Sequence, residues 1–154
     1  MKNTLFAAVT AFLLAGCTAT RTAQTVATTA TDTALHSAIE EKYWKLVILE
    51  GYPTKLVRNQ EKEVYLMLKG EDRRLHGFSG CNAMKGSYVL APGNGIRFFD
   101  IVSTLRACPN VTFDESGYLQ LFELVTRYTL SNDTLRLSSK TRDDLAVFKA
   151  TGLQ

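Results

Sequence analysis

The chain has 154 residues, with 18 Lys and Arg against 15 Asp and Glu, for a formal net charge of +3. The two signs are interspersed: Lys55, Arg58, Lys62, Lys69, Arg73 and Arg74 sit among Glu61, Glu63, Glu71 and Asp72. That is a solvated surface, not the basic stripe a nucleic-acid partner requires, so nucleic acid is excluded as the expected partner.

Met1-Lys2-Asn3 is a short positive start, Leu5 to Leu14 is an apolar run, and Leu14-Ala15-Gly16-Cys17 closes it with small residues. The pattern is that of a secretory signal over residues 1–16. The run is too short to span a hydrocarbon core of about 30 Å, which needs around 20 apolar residues. Leu-Ala-Gly-Cys resembles a bacterial lipobox. That resemblance implies a Cys17 carrying diacylglycerol on sulfur and, after cleavage, an N-acylated first residue. Three acyl chains exceed the two signals that stable anchoring takes. The competing reading is an ordinary signal cut near Ala15 that leaves Cys17 free. In bacterial lipoproteins an aspartate after the cysteine favours retention in the inner membrane, so Thr18 implies an outer-membrane address facing the periplasm.

Residues 17–36 read as a lipidated cysteine followed by a tether. Thirteen of the seventeen residues from 18 to 34 are Thr or Ala, with one Val and no aromatic. Such a stretch buries too little apolar surface to offset its ordering entropy, which predicts a leash without fixed structure. Loss of Lys2 with the signal leaves 17 basic residues against 15 acidic, a net +2. Residues 37–154 remain as one domain of about 120 residues, long enough for a real core.

Within it, Leu35 to Lys42 is predicted as a short helix, with Ser37 as N-cap and Glu40 at N3 of a capping box. Tyr43 to Leu49 reads as a strand, ended by Gly51 and Pro53. Val64–Leu68, Arg74–Phe78, Ser87–Leu90 and Ile96–Ile101 follow as strands. Pro92-Gly93-Asn94-Gly95 is a hairpin signal, with Asn94-Gly95 suited to a type I′ turn. Ser103 to Cys108 is a short extended piece. From Asp114 to Tyr128 the period changes: Tyr118, Leu121, Phe122, Val125 and Tyr128 recur at three and four residues, giving one long helix capped by Asp114. Thr129-Leu130 and Thr134–Ser138 flank a second hairpin at residues 131–133, and Leu145–Lys149 is the last strand. Leu135 and Leu137 are expected to face inward, and Thr134 and Arg136 outward. Short strands at this spacing with one covering helix predict an α+β fold, a small antiparallel curled sheet or partial barrel.

The densest stretch runs from His76 to Tyr88. Gly80 before Cys81-Asn82 marks a tight bend, because glycine accepts positive φ. With Cys17 acylated, Cys81 and Cys108 are the remaining pair in an oxidising compartment, so a disulfide between them is expected.

Trp44, Gly51, Gly77-Phe78-Ser79-Gly80-Cys81-Asn82, Gly86-Ser87-Tyr88, Ser103-Thr104 with Ala107-Cys108-Pro109, and Asp133-Thr134-Leu135 together resemble the META domain of HslJ-like heat-shock lipoproteins. Gly80, Cys81 and Asn82 form the central motif of that resemblance. Leu105-Arg106 departs from it, since the family often has a basic residue and then methionine before Ala-Cys. The resemblance implies a non-enzymatic module in envelope stress or antibiotic tolerance and supplies no catalytic, cofactor-binding or metal residues.

The chemistry that the stretch suggests fails on inspection. Gly77-Phe78-Ser79-Gly80-Cys81 puts Gly80 directly after Ser79, so the nucleophile-elbow spacing is broken, and a strand rather than a helix follows. A half-cystine cannot act as the thiolate that a Cys81–His76 pair would need. His76 with the two cysteines would still want a fourth zinc ligand or an open position, and His36 is poorly placed to supply one. Phe98 and Phe99 read as core. The expected function is therefore a membrane-anchored binding module whose partner is an envelope protein or an apolar ligand. The alternatives are a carrier of a lipid or other hydrophobe, or an envelope hydrolase with an unrecognised site.

Overall fold

The structure is a computed structural model that describes residues 22–55, 63–109 and 111–152. The signal and Cys17 lie outside the described residues. The elements are α1 (Thr22–Ile39), β1 (Tyr43–Leu49), β2 (Tyr52–Pro53), β3 (Tyr65–Lys69), β4 (Arg74–Phe78), β5 (Ala83–Ala91), β6 (Gly95–Ser103), α2 (Glu115–Leu124), β7 (Arg127–Ser131), β8 (Thr134–Ser138) and β9 (Ala146–Thr151). All strand pairs are antiparallel, and the order is β2-β1-β3-β4-β5-β6-β7-β8-β9. β1 also pairs with β9, from Tyr43↔Thr151 to Leu49↔Ala146, which curls the sheet round on itself. The curl is weakest between β6 and β7, which share the single register pair Gly95↔Arg127. This is the expected α+β fold with an antiparallel curled sheet, and both expected helices are present at different bounds.

Two helical expectations change. The stretch predicted as a leash is helical from Thr22, and α1 absorbs the short helix expected at Leu35. The stretch contains no Gly or Pro, and alanine is the strongest helix former, so nothing local interrupts the helix once its end is docked. Docking comes from Ile39, fully buried, and from two contacts with the β5–β6 turn: Gly93 N donates to Asp32 Oδ1 at 3.1 Å, and His36 Nε2 lies 3.2 Å from Ala91 O. Ser37 is thus inside the helix, its hydroxyl donating to Ala34 O at 3.1 Å instead of capping. At the other helix, the apolar spacing overruns the true end. α2 stops at Leu124, Val125 takes extended geometry, and Tyr128 points inward from β7. Spacings of three and four across a helix–strand junction imitate one helix, because both elements present the same side to the core.

The strands otherwise follow the pattern. Leu135 and Leu137 are buried between partly exposed Thr134 and Arg136. β5 starts at Ala83, earlier than its alternation suggested, directly after the Cys81-Asn82 corner. At the β5–β6 hairpin the positive φ falls on Gly93 (+77°) behind Pro92, the residue order of a type II turn, and not on Asn94-Gly95. Asn94 instead ties the loose seam: its Nδ2 donates to Tyr128 O at 2.6 Å, and Tyr128 N donates to Asn94 O at 2.9 Å.

Rings fill the inside of the curl. Phe98 meets Phe122 edge-on at 5.0 Å, Tyr118 meets Phe122 at 5.2 Å and Phe113 meets Tyr118 at 5.6 Å. Such pairs contribute about 0.5–1.5 kcal/mol each beyond the area they bury. Trp44, fully buried, donates from Nε1 to Ile39 O at 2.8 Å and so joins the end of α1 to the first strand. Nearby, Tyr88 Oη lies 2.6 Å from Glu40 Oε1, and Arg73 both pairs with Glu40 and sits over the Tyr88 ring at 5.8 Å. Lys69 holds Glu41 at 2.7 Å, which keeps that carboxyl below the usual range.

Four phenols are held in their protonated form by the fold. Burial raises Tyr118, Tyr88 and Tyr128 above the ordinary value of 10.0; Glu40 adds to the shift at Tyr88, and Asp32 and Glu40 at Tyr128. Burial beside Glu63 pushes Tyr43 up to about 12. A raised folded-state pKa contributes stability that is whole below about 10 and is lost as pH climbs through the raised values. We expect urea midpoints that are flat on the alkaline side of neutrality and fall above about pH 10, together with the rise of tyrosinate absorbance. Tyr118 Oη has no hydrogen-bond partner among the described residues, so Tyr118→Phe should leave stability unchanged or raise it by up to ~1 kcal/mol and blunt that alkaline fall. A Tyr118→Phe variant that loses more than ~1 kcal/mol would contradict the assignment.

Candidate functional site

The corner between β4 and β5 is built on Gly80. Its φ of +93° is a left-handed conformation, and a Cβ there would come within 2.8 Å of the Phe113 ring. Any side chain would therefore be strained and would also collide, which is why the bend needs glycine.

Across this bend Ser79 N donates to Asn82 O at 2.9 Å, closing the turn. Asn82, 4% exposed, then uses every polar atom of its amide. Its Oδ1 accepts from Thr104 Oγ1 and from Arg106 N, both at 2.8 Å. Its Nδ2 donates to Glu115 Oε2 at 2.9 Å and to Arg106 O at 3.4 Å. Ser79, fully buried, also hydrogen-bonds through Oγ to Glu115 Oε1. Glu115 is the first residue of α2, and Asp114 caps that helix by accepting from Gly117 N at 3.0 Å. Two acids at a helix start also suit the helix dipole. One asparagine thus joins the β4–β5 corner, the segment after β6 and the first turn of α2.

Cys81 and Cys108 meet beside this network. Their Cα atoms are 5.9 Å apart, inside the range that a disulfide requires. A shallow surface pocket of about 170 Å³ lies over them, lined by Phe78, Gly80, Cys81, Ala107, Cys108 and Pro109 among others. Two further shallow pockets lie elsewhere, one of about 310 Å³ beside Glu50 and Arg142 and one of about 300 Å³ between Tyr52 and Phe113.

The structure separates the other candidates. His76 lies exposed on the outer side of β4, while Ser79 is buried. His36 is on α1 against the β5–β6 turn. No group of three or more His, Cys, Asp or Glu suited to a metal occurs among the described residues. Phe98 is core, but Phe99 is 43% exposed, because consecutive strand residues point to opposite faces. Sequence reasoning missed Glu115, Thr104 and Arg106 as partners of the motif. Thr104 lies within the Ser103-Thr104 block of the resemblance, though not as a partner of Asn82, and Glu115 carries only the generic signal of an acid just after an N-cap.

Chemically the arrangement locks a chain crossing. The hydroxyl of Ser79 and the amide of Asn82 are turned inward and spent on protein partners, and neither faces a pocket with an accompanying base. Asn82→Ala would strand Thr104 Oγ1, Arg106 N and Glu115 together. We expect it to cost about 2–4 kcal/mol in urea unfolding, with Asn82→Asp also destabilising because a carboxylate there opposes Glu115. A loss below ~1 kcal/mol would show that the network does not hold the crossing.

Comparison with known proteins places this geometry. The META domain family profile matches residues 37–152. An NMR structure of a protein from Burkholderia xenovorans superposes with a TM-score of 0.62 at 23% identity, covering 78% of this chain and 88% of that one. A second NMR structure superposes at 0.57 with 16% identity, covering 73% of this chain and 92% of the other. At these identities the likeness is one of fold. No curated protein matches the chain.

Proposed function

The chain belongs to the META domain family, and on that premise we propose that it is a non-enzymatic binding module, anchored by an acylated Cys17 to the outer membrane of a bacterial envelope and facing the periplasm. One observation carries the non-enzymatic part: the polar side chains of the family motif are consumed by one another. Ser79 is fully buried against Asn82 and Glu115, and His76 stands apart on the exposed side of β4. A nucleophile needs a path for substrate as well as a base: the Glu115 carboxylate reaches Ser79 Oγ but is also held by Asn82, and Ser79 is fully buried, so no substrate path leads to it. The ring-filled interior argues in the same direction against a carrier of hydrophobic ligands. The Leu-Ala-Gly-Cys sequence supports the anchor, and the family resemblance supports a role in envelope stress or antibiotic tolerance.

On this reading Cys81 and Cys108 are oxidised to one another and the bond is structural. It would close a loop that contains β5 and β6, and chain-entropy reasoning gives it roughly 3–4 kcal/mol, a model-dependent upper figure. It pins the segment leading to Asp114 against the glycine corner.

Three measurements test the proposal. Metabolic labelling with a fatty-acid probe should mark the wild type and not Cys17→Ala; labelling that survives the substitution refutes the anchor. Ser79→Ala and His76→Ala should leave no difference on a broad ester and peptide panel, and turnover abolished by either would overturn the non-enzymatic reading. Thiol counting on the unreduced protein should find Cys81 and Cys108 unreactive, and reduction should lower the urea midpoint.

A further inference from the structure

The outer side of β4, β5 and β6 has an unusual composition. The registers Val89↔Arg97, Ser87↔Phe99, Lys85↔Val102, Arg74↔Ser87 and His76↔Lys85 place these residues on one face. Val89, Phe99 and Val102 are 49%, 43% and 51% exposed. Lys85 and Arg97 are exposed and make no ion pair among the described residues, while Arg74 donates to Ser87 Oγ at 2.9 Å. No Asp or Glu occupies any of these facing positions. The acid on these strands is Asp100, at the bulge where Phe99 and Val102 are brought into register with Ser87 and Lys85. Several cations elsewhere on the sheet surface are answered: Lys45 by Glu63, Lys69 by Glu41 and Arg136 by Asp144.

We propose that this face docks on an anionic lipid bilayer, with Phe99, Val89 and Val102 entering the headgroup boundary and Lys85, Arg97 and Arg74 meeting lipid phosphates. Apolar side chains ringed by long cations are what an interfacial surface requires, since the cation stems lie along the apolar side chains while their heads reach outward. The occupant follows from charge and from where the chain leads. α1 runs past the β5–β6 turn, held by Asp32 and His36, so its N-terminal end extends beyond the hairpin that carries Val89 and Arg97. The five positions from Cys17 to Thr22 span at most ~18 Å, and the ten helical positions from Thr22 to Asp32 at the hairpin add ~15 Å. A domain held that close to a bilayer needs only weak affinity to lie on it, because the tether sets a high effective concentration. That last step rests on the acylation of Cys17; the composition of the face does not.

The test separates the two. The chain from residue 17 onward, carrying Cys17→Ala and so unable to be acylated, is sedimented with vesicles of phosphatidylcholine alone or with phosphatidylglycerol added. Binding is expected only to the anionic vesicles and should fall steeply with salt. The double variant Lys85→Glu/Arg97→Glu should lose roughly tenfold or more, at about 1 kcal/mol for each cation near an anionic surface. Phe99→Ser should weaken binding at all salt concentrations, and Lys149→Glu, on β9, should leave it unchanged. Circular dichroism and urea midpoints confirm that each variant is folded. Equal binding to both vesicle types, charge reversal without effect, or capture by a soluble acidic polymer in preference to vesicles would each overturn the proposal. Failed fatty-acid labelling of the wild type with vesicle binding intact would remove the anchor and leave the face standing.

Discussion

The amide of Asn82 is the interaction on which the rest of the domain depends. A curled sheet with a helix inserted between its sixth and seventh strands must take the chain out of the sheet and return it. The backbone at that exit has no ladder to join, so its polar groups need another partner. Asn82 supplies two acceptor contacts and two donor contacts from one small side chain. In a site this dry each bond is stronger than in water, and each missing one is correspondingly costly. The glycine bend beneath it and the two cysteines beside it make sense around this asparagine. Gly80 lets the chain turn tightly enough to present Asn82, and the 5.9 Å approach of Cys81 and Cys108 fixes the segment that Asn82 contacts.

How much of this was legible in the sequence divides along a physical line. Where period and turn chemistry decide the outcome, residues alone sufficed: β1 falls where its aromatic and β-branched content puts it, Gly80 takes positive φ, and Asp114 caps α2. Where tertiary docking decides, they did not. Thr/Ala-rich sequence carries no amphipathic signal, yet α1 forms, with Ile39 buried and Asp32 and His36 held at the hairpin. Tyr128 continued a helical spacing that belonged to two elements. Asn94-Gly95 carried the stronger turn signal, but Pro92-Gly93 made the turn and left the Asn94 side chain to bridge β6 and β7. The motif itself was recognisable, but its partners were not, since Thr104, Arg106 and Glu115 are brought to Asn82 only by the fold.

The division between inward and outward polarity organises the functional picture. Polar groups of the motif serve the fold, whereas Lys85 and Arg97 on the β4–β6 exterior make no ion pair among the described residues and Val89, Phe99 and Val102 stand exposed beside them. Family membership and the two structural likenesses speak to the first of these, because they concern architecture. The second is a property of this chain's own side chains, and it is the place where members of one fold acquire different surroundings and partners.

The pairing of β1 with β9 carries a consequence for how the molecule is made. Trp44 and Leu46 lie on a strand whose neighbour Phe148 comes from the far end of the chain. Contacts of such long sequence separation give a high contact order, so folding is slow for the domain's size. An emerging chain cannot complete its first strand until its last has been synthesised. A nascent chain of this design stays unfolded until its last strand has been made, and a truncation that removes β9 undoes the N-terminal strand as surely as a mutation within it.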